Sequence, residues 1–113
     1  MFNLFRGRKK EIKRNTIILD IYSLFGALVT TQEDSVKLSD IIDTLLRYDI
    51  NIELDFTGVE IILPAFLNNL FKELYNNGSK DNITKLKTIF NDNTDRELYL
   101  KHLHIFMRGI END

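Results

Sequence analysis

The sequence predicts a single α/β domain of order β-β-α-β-α-β-α, with a roughly four-stranded mixed sheet and helices mainly on one face. Three observations predict it. Ile50, Ile52, Leu54 and Phe56 alternate with Asn51, Glu53 and Asp55, the period of a strand with one buried side. Two flanking stretches, Val36 to Leu46 and Phe66 to Tyr75, repeat their apolar residues every three or four positions, the period of a helix. The chain's 113 residues, 43% of them apolar, suffice for one core and not for two.

Taken in order, Asn15 to Tyr22 alternates Ile17, Leu19 and Ile21 and reads as a strand, Ser23 to Gly26 as a turn, and Ala27 to Thr31 as a second strand closing a hairpin. Glu33 and Asp34 then suit the positive end of a helix that buries Val36, Leu38, Ile41, Ile42, Leu45 and Leu46. After the strand Ile50–Phe56, Pro64 fits the first turn of a helix, and Asn77-Gly78 signals its left-handed stop. Ile83 to Phe90, with Leu86, Thr88 and Phe90 alternating, reads as the last strand. The closing helix opens with Thr94 and Glu97 at capping-box spacing and buries Leu98, Leu103, Phe106 and Met107. The polar side of the middle strand leaves one sheet face partly open.

Net charge is −2, but residues 1–14 hold six cations against Glu11, about +5, so the remainder is about −7. This divides the chain into a basic N-terminal arm, 1–14, and a folded domain, 15–113. The arm has only Phe2 and Phe5 for base stacking, and the acidic body repels nucleic acid, so nucleic acid is an unlikely ligand. The apolar run Thr16–Val29 is interrupted by Asp20 and is shorter than the roughly 20 residues of a membrane span. With no Cys, the chain fits a reducing, cytoplasmic setting.

Catalytic chemistry has little support. Gly26, Gly58, Gly78 and Gly109 never cluster into a phosphate cradle, and no G-x-S-x-G elbow occurs. His102 and His104 lie two apart on a helix and diverge, so no metal site is expected. Asp55 has no second titratable group placed beside it and is read as bracketing a turn. A cofactor-free non-enzyme is the expectation.

The stretch LDFTGVEIILPAFLNNLF, Leu54 to Phe71, resembles the signature of the STAS-like domain family of unknown function, the DUF4325 type. In that family a strand ending Asp-Phe-(Ser/Thr)-Gly-Val runs through a short apolar loop into a helix. Upstream ILDIYSLFGALVTTQEDSVKLSDII and downstream LKTIFNDN are similar to its other elements, so the resemblance covers about residues 15–107. The element order also matches the STAS domains of bacterial anti-sigma factor antagonists. In those proteins the helix start carries a phosphorylatable Ser or Thr and docks a histidine-kinase-like ATPase. The matching positions here, Leu63, Pro64 and Ala65, have no hydroxyl. Thr57 is nearest and reads as bonding local backbone.

The resemblance implies a regulatory, signalling protein–protein interaction module of bacterial or phage type. Its expected partner surface is Asp55, Thr57, Gly58, Glu60, Ile62, Leu63, Pro64, Ala65 and Phe66. At least one of the consecutive Ile61, Ile62 and Leu63 has to face solvent there. A homodimer through the open sheet face is a further option. The alternative reading is nucleic-acid or anionic-surface binding through the arm, Arg6 to Arg14.

Overall fold

A computed structural model describes residues 15–78 and 80–111; the basic arm 1–14 lies outside the described residues. The elements are β1 (Thr16–Asp20), α1 (Ile21–Phe25), β2 (Leu28–Val29), α2 (Gln32–Arg47), β3 (Asn51–Asp55), β4 (Ile61–Ile62), α3 (Pro64–Asn77), α4 (Lys80–Thr84), β5 (Lys87–Ile89) and α5 (Asn93–Glu111). The mixed α/β class is as expected. The four-stranded mixed sheet is not: β1-β3-β5 form one sheet, β2-β4 form a second, and every pair is parallel.

The predicted hairpin does not form, for a local reason. Asp20 ends β1 and caps α1, its carboxylate accepting the Ser23 N–H at 3.2 Å and the Ser23 hydroxyl at 2.8 Å. An Asp three residues before a Ser starts a helix as readily as it brackets a turn. The second strand therefore leaves β1 and pairs with β4, Leu28 beside Ile61 and Val29 beside Ile62.

β3 is the central strand. Ile52, Leu54 and Phe56 are buried beneath the helices, and Asn51, Glu53 and Asp55 alternate to the other side. Across the sheet Leu19, Leu54 and Thr88 share a row on the covered face, while Ile18, Glu53 and Lys87 share one on the open face. α3 packs against both α2 and α5, so the three long helices make one layer.

Capping explains the remaining boundaries. Thr31 caps α2 by accepting the Asp34 N–H at 3.0 Å. At its far end Asp49 adopts a φ of 61°, its N–H donates to the Leu46 carbonyl at 3.0 Å, and Ile50 N–H donates to the Leu45 carbonyl at 3.2 Å. That is the double-bonded left-handed stop, with Asp where Gly is usual. At α3 the expectation reverses: Gly78 has a φ of −154°, outside the left-handed region. Its missing Cβ instead makes room for the Asn82 side chain, which donates to the Leu74 carbonyl. The first two residues of the predicted last strand, Ile83 and Thr84, belong to α4, and Ile83 anchors it in the core. α5 is capped by Asp92, which accepts the Asp95 N–H at 3.0 Å, rather than by a Thr94–Glu97 box.

The core joins Ile21, Val29, Leu38, Ile42, the β3 residues and Phe66, Leu67, Leu70, Phe71 and Leu74. Aromatic rings extend it. Phe56 stacks on Phe90 at 4.9 Å, Phe90 meets Tyr99 at 5.5 Å, and Tyr99 meets Phe71 edge-on at 5.4 Å. The Tyr99 hydroxyl is buried without a hydrogen-bond partner among the described residues, and burial pushes its pKa up. An unpaired buried hydroxyl costs roughly 1–3 kcal/mol, so its removal with the ring kept is favourable or neutral. Tyr99→Phe is expected to hold or raise unfolding stability by up to about 1 kcal/mol, whereas Phe71→Ala lowers it by about 3–5 kcal/mol, both read by denaturant titration.

Candidate functional site

All three strands of the main sheet run the same way, so the segments following β1, β3 and β5 meet at one end of the molecule. The segment after β3 turns at once. Phe56 N–H donates to the Ile89 carbonyl at 2.8 Å, and Val59 N–H donates to the Phe56 carbonyl at 3.0 Å. The Thr57 hydroxyl bonds the Asp55 carboxylate, and the Thr57 N–H donates to it at 2.9 Å; together they hold its pKa below the usual carboxylate range.

Gly58 has a φ of +93°, and an added Cβ would lie 3.2 Å from the ring of Tyr22 on α1. Both constraints call for Gly. Asn91, just beyond β5, grips the same turn from the other side. Its Oδ1 accepts the Gly58 N–H at 3.3 Å, and its Nδ2 donates to the Val59 carbonyl at 3.2 Å. The turn is therefore tied to the end of β5 by three hydrogen bonds, with the Tyr22 ring close beside Gly58.

The chain then meets β2. The Ala27 carbonyl accepts Glu60 N–H at 2.7 Å and Ile61 N–H at 3.1 Å, and the Val29 carbonyl accepts Leu63 N–H at 3.2 Å. Parallel register puts Val29 and Ile62 inside and Leu28 and Ile61 outside. Leu28 is 53% exposed, Ile61 47% and Leu63 41%. Leu63 occupies the N-cap of α3 with extended backbone and makes no capping hydrogen bond, unlike Asp20, Thr31 and Asp92 on their helices. With half-exposed Tyr22, these residues form an apolar surface at the strand-to-helix turn.

Of the residues singled out in the sequence, Thr57, Gly58, Glu60, Leu63, Pro64 and Ala65 lie on this surface, and Asp55 is half-buried at its border. Ile62 and Phe66 are core residues and support the surface from beneath. Ile61 and Leu63 are the exposed members of the apolar triplet. Sequence reading missed Tyr22, Leu28 and Asn91. All three lie more than 30 residues from the turn they join, and no local pattern in the sequence ties them to it.

The rest of the molecule carries little chemistry. Among the described residues no cluster of three His, Asp or Glu is placed to hold a metal, and no helix is long and apolar enough to cross a membrane. A groove of about 510 Å³ between α3 and α5 is lined by residues such as Lys72, Tyr75, Ile105 and Phe106, with no carboxylate or His. In the first turn of α5, burial and then the Asp92 charge raise the pKa of Asp95.

Comparison with known families gives a match over more than half of the chain. The family model described as a STAS-like domain of unknown function (DUF4325) matches residues 34–97, from α2 through the first turns of α5. No curated protein and no solved structure gave a significant match.

The turn's geometry sets two expectations. Gly58→Ala should lower stability by about 1–2 kcal/mol in denaturant titration, from the strained φ and the crowding by Tyr22. Because the folded pKa of Asp55 is depressed, its charge contributes stability that is fully present above the ordinary carboxylate range and is lost as pH falls through the depressed value. The stability difference between wild type and Asp55→Asn should therefore shrink on acidification. A pH-independent difference would mean that the carboxylate charge contributes nothing.

Proposed function

The chain belongs to the STAS-like domain family of unknown function, DUF4325, and on that premise we propose that it is a non-catalytic, regulatory protein–protein interaction module. It docks a partner through the turn and helix start between Asp55 and Ala65, joined by Tyr22 and Leu28. The observation that carries this reading is the exposed apolar surface of Leu28, Ile61 and Leu63 on a turn held by hydrogen bonds to the end of β5 and to Ala27 and Val29. A preformed surface loses little conformational entropy on binding, which favours recognition.

The N-cap of α3 supports the same reading. Leu63 has the extended backbone at which Asp, Ser or Thr would accept an N–H of the first turn, typically worth about 1 kcal/mol. A bulky apolar residue there forgoes that stability and adds exposed surface. Phosphorylation is not part of the proposal, since the helix start has no hydroxyl and Thr57 is already bonded to Asp55. A histidine-kinase-like ATPase as partner and a bacterial or phage signalling role rest on the family resemblance, and a cytoplasmic setting rests on the absence of Cys. Binding through residues 1–14 rests on residues outside those described.

Leu63→Asp separates docking from folding. It supplies the missing cap, so unfolding stability should hold or rise by up to about 1 kcal/mol while capture of a partner bound by wild type is lost. Tyr48→Asp, at the far end of α2 and 74% exposed, should leave capture intact. Undiminished capture by Leu63→Asp would place the docking surface elsewhere.

A further inference from the structure

The charge around the apolar surface identifies the kind of segment it fits. The end of the molecule is built from residues 20–36, 55–71 and 89–95. Those segments contain seven carboxylates, among them Asp20, Asp55, Glu60 and Asp92, and not one Lys or Arg. The nearest cations along the chain are Lys87, beside Glu53 on the open sheet face two residues before Ile89, Arg96 in the first turn of α5, Lys37, paired with Glu33 at 3.7 Å, and Lys72. Glu60 adjoins Ile61 directly, and Asp20 and Asp55 stand side by side in the β1–β3 register. Leu28, Ile61 and Leu63 are thus apolar side chains inside a one-sign rim.

Resting on the docking reading above, we propose that this surface recognises a cationic polypeptide segment that carries bulky aliphatic side chains, the aliphatic groups covering Leu28, Ile61 and Leu63 and the cations facing Glu60, Asp55 and Asp92. Complementary potential steers such a segment in and rejects acidic ones, and the apolar contact supplies the desolvated centre. A second copy docking by the same face is disfavoured, because a two-fold contact sets each carboxylate rim against its equal. Polyanions such as nucleic acid are rejected at this end for the same reason.

The test uses the full chain, isotopically labelled, titrated with an Arg-Leu-Ser repeat peptide, its Glu-Leu-Ser counterpart and its Arg-Ser-Ser counterpart. The Arg-Leu-Ser peptide should perturb the amides of Leu28, Ile61 and Leu63, weaken as salt is raised, and lose about tenfold in affinity with either Glu60→Lys or Leu63→Ser. Stronger binding of the Glu-Leu-Ser peptide, equal binding of Arg-Ser-Ser, or no perturbation of those amides by any peptide overturns the proposal. Neutralising Arg6, Arg8, Lys9 and Lys10 to Ser without any peptide is the control for self-occupancy. If that alone shifts the same amides, residues 1–14 fill the surface and an external segment is ruled out. These outcomes are separate from failure of the docking reading, which shows as undiminished partner capture by Leu63→Asp.

Discussion

Burial of Ile52, Leu54 and Phe56 on one side of β3 is the constraint from which the rest of the molecule follows. A strand with parallel neighbours on both edges has its backbone groups satisfied laterally, so its side chains alone decide where the helices go. They go to the apolar side, and α3 lies at the middle of that layer. To enter α3, the chain leaving β3 must pass over the end of the sheet. The turn at Thr57–Gly58 is the short route, and it places Ile61 and Leu63 at the rim. The surface is a by-product of geometry that the core enforces.

Legibility in the sequence tracked how local each determinant is. α2, β3 and α3 were readable because each repeats its period over a full face, and Pro64 marks a first turn by its own chemistry. α1 and α4 were not, because five residues contain too little of a helical period to outweigh the alternation around them. The Asp20–Ser23 cap decided one of them, and the burial of Ile83 anchored the other. The same Asp20–Ser23 cap undid the hairpin by turning the chain away from β1. Alternation identifies a strand without naming its partner, and the partner of Leu28-Val29 is 33 residues away. The site divides in the same way. Asp55 to Ala65 is contiguous and carries a recognisable pattern, whereas Tyr22, Leu28 and Asn91 reach it only through the fold.

The turn also shows how stability and exposure are distributed. Where the backbone must hold shape, hydrogen bonds are redundant: Asn91 makes two, Ala27 accepts two, and Asp55 is bonded by both polar groups of Thr57. Where a partner would touch, side chains that contribute least to the free molecule are kept, with Leu at an N-cap and Leu28 and Ile61 facing outward.

The parallel strand pairing has a bearing on how the molecule comes into being. Thr16 pairs with Asn51, Leu28 with Ile61 and Glu53 with Lys87, so every ladder joins residues 33 to 35 positions apart and no pair arises from a tight local reversal. Closing such loops is paid for in chain entropy before any contact rewards it, so assembly leans on α2 and α3 condensing first. Asn91 reaches the turn only after β5 is in place. A chain emerging from the ribosome therefore has no finished turn until Asn91 is out, and a fragment ending before β5 would have the apolar residues without the hydrogen bonds that shape the turn beneath them.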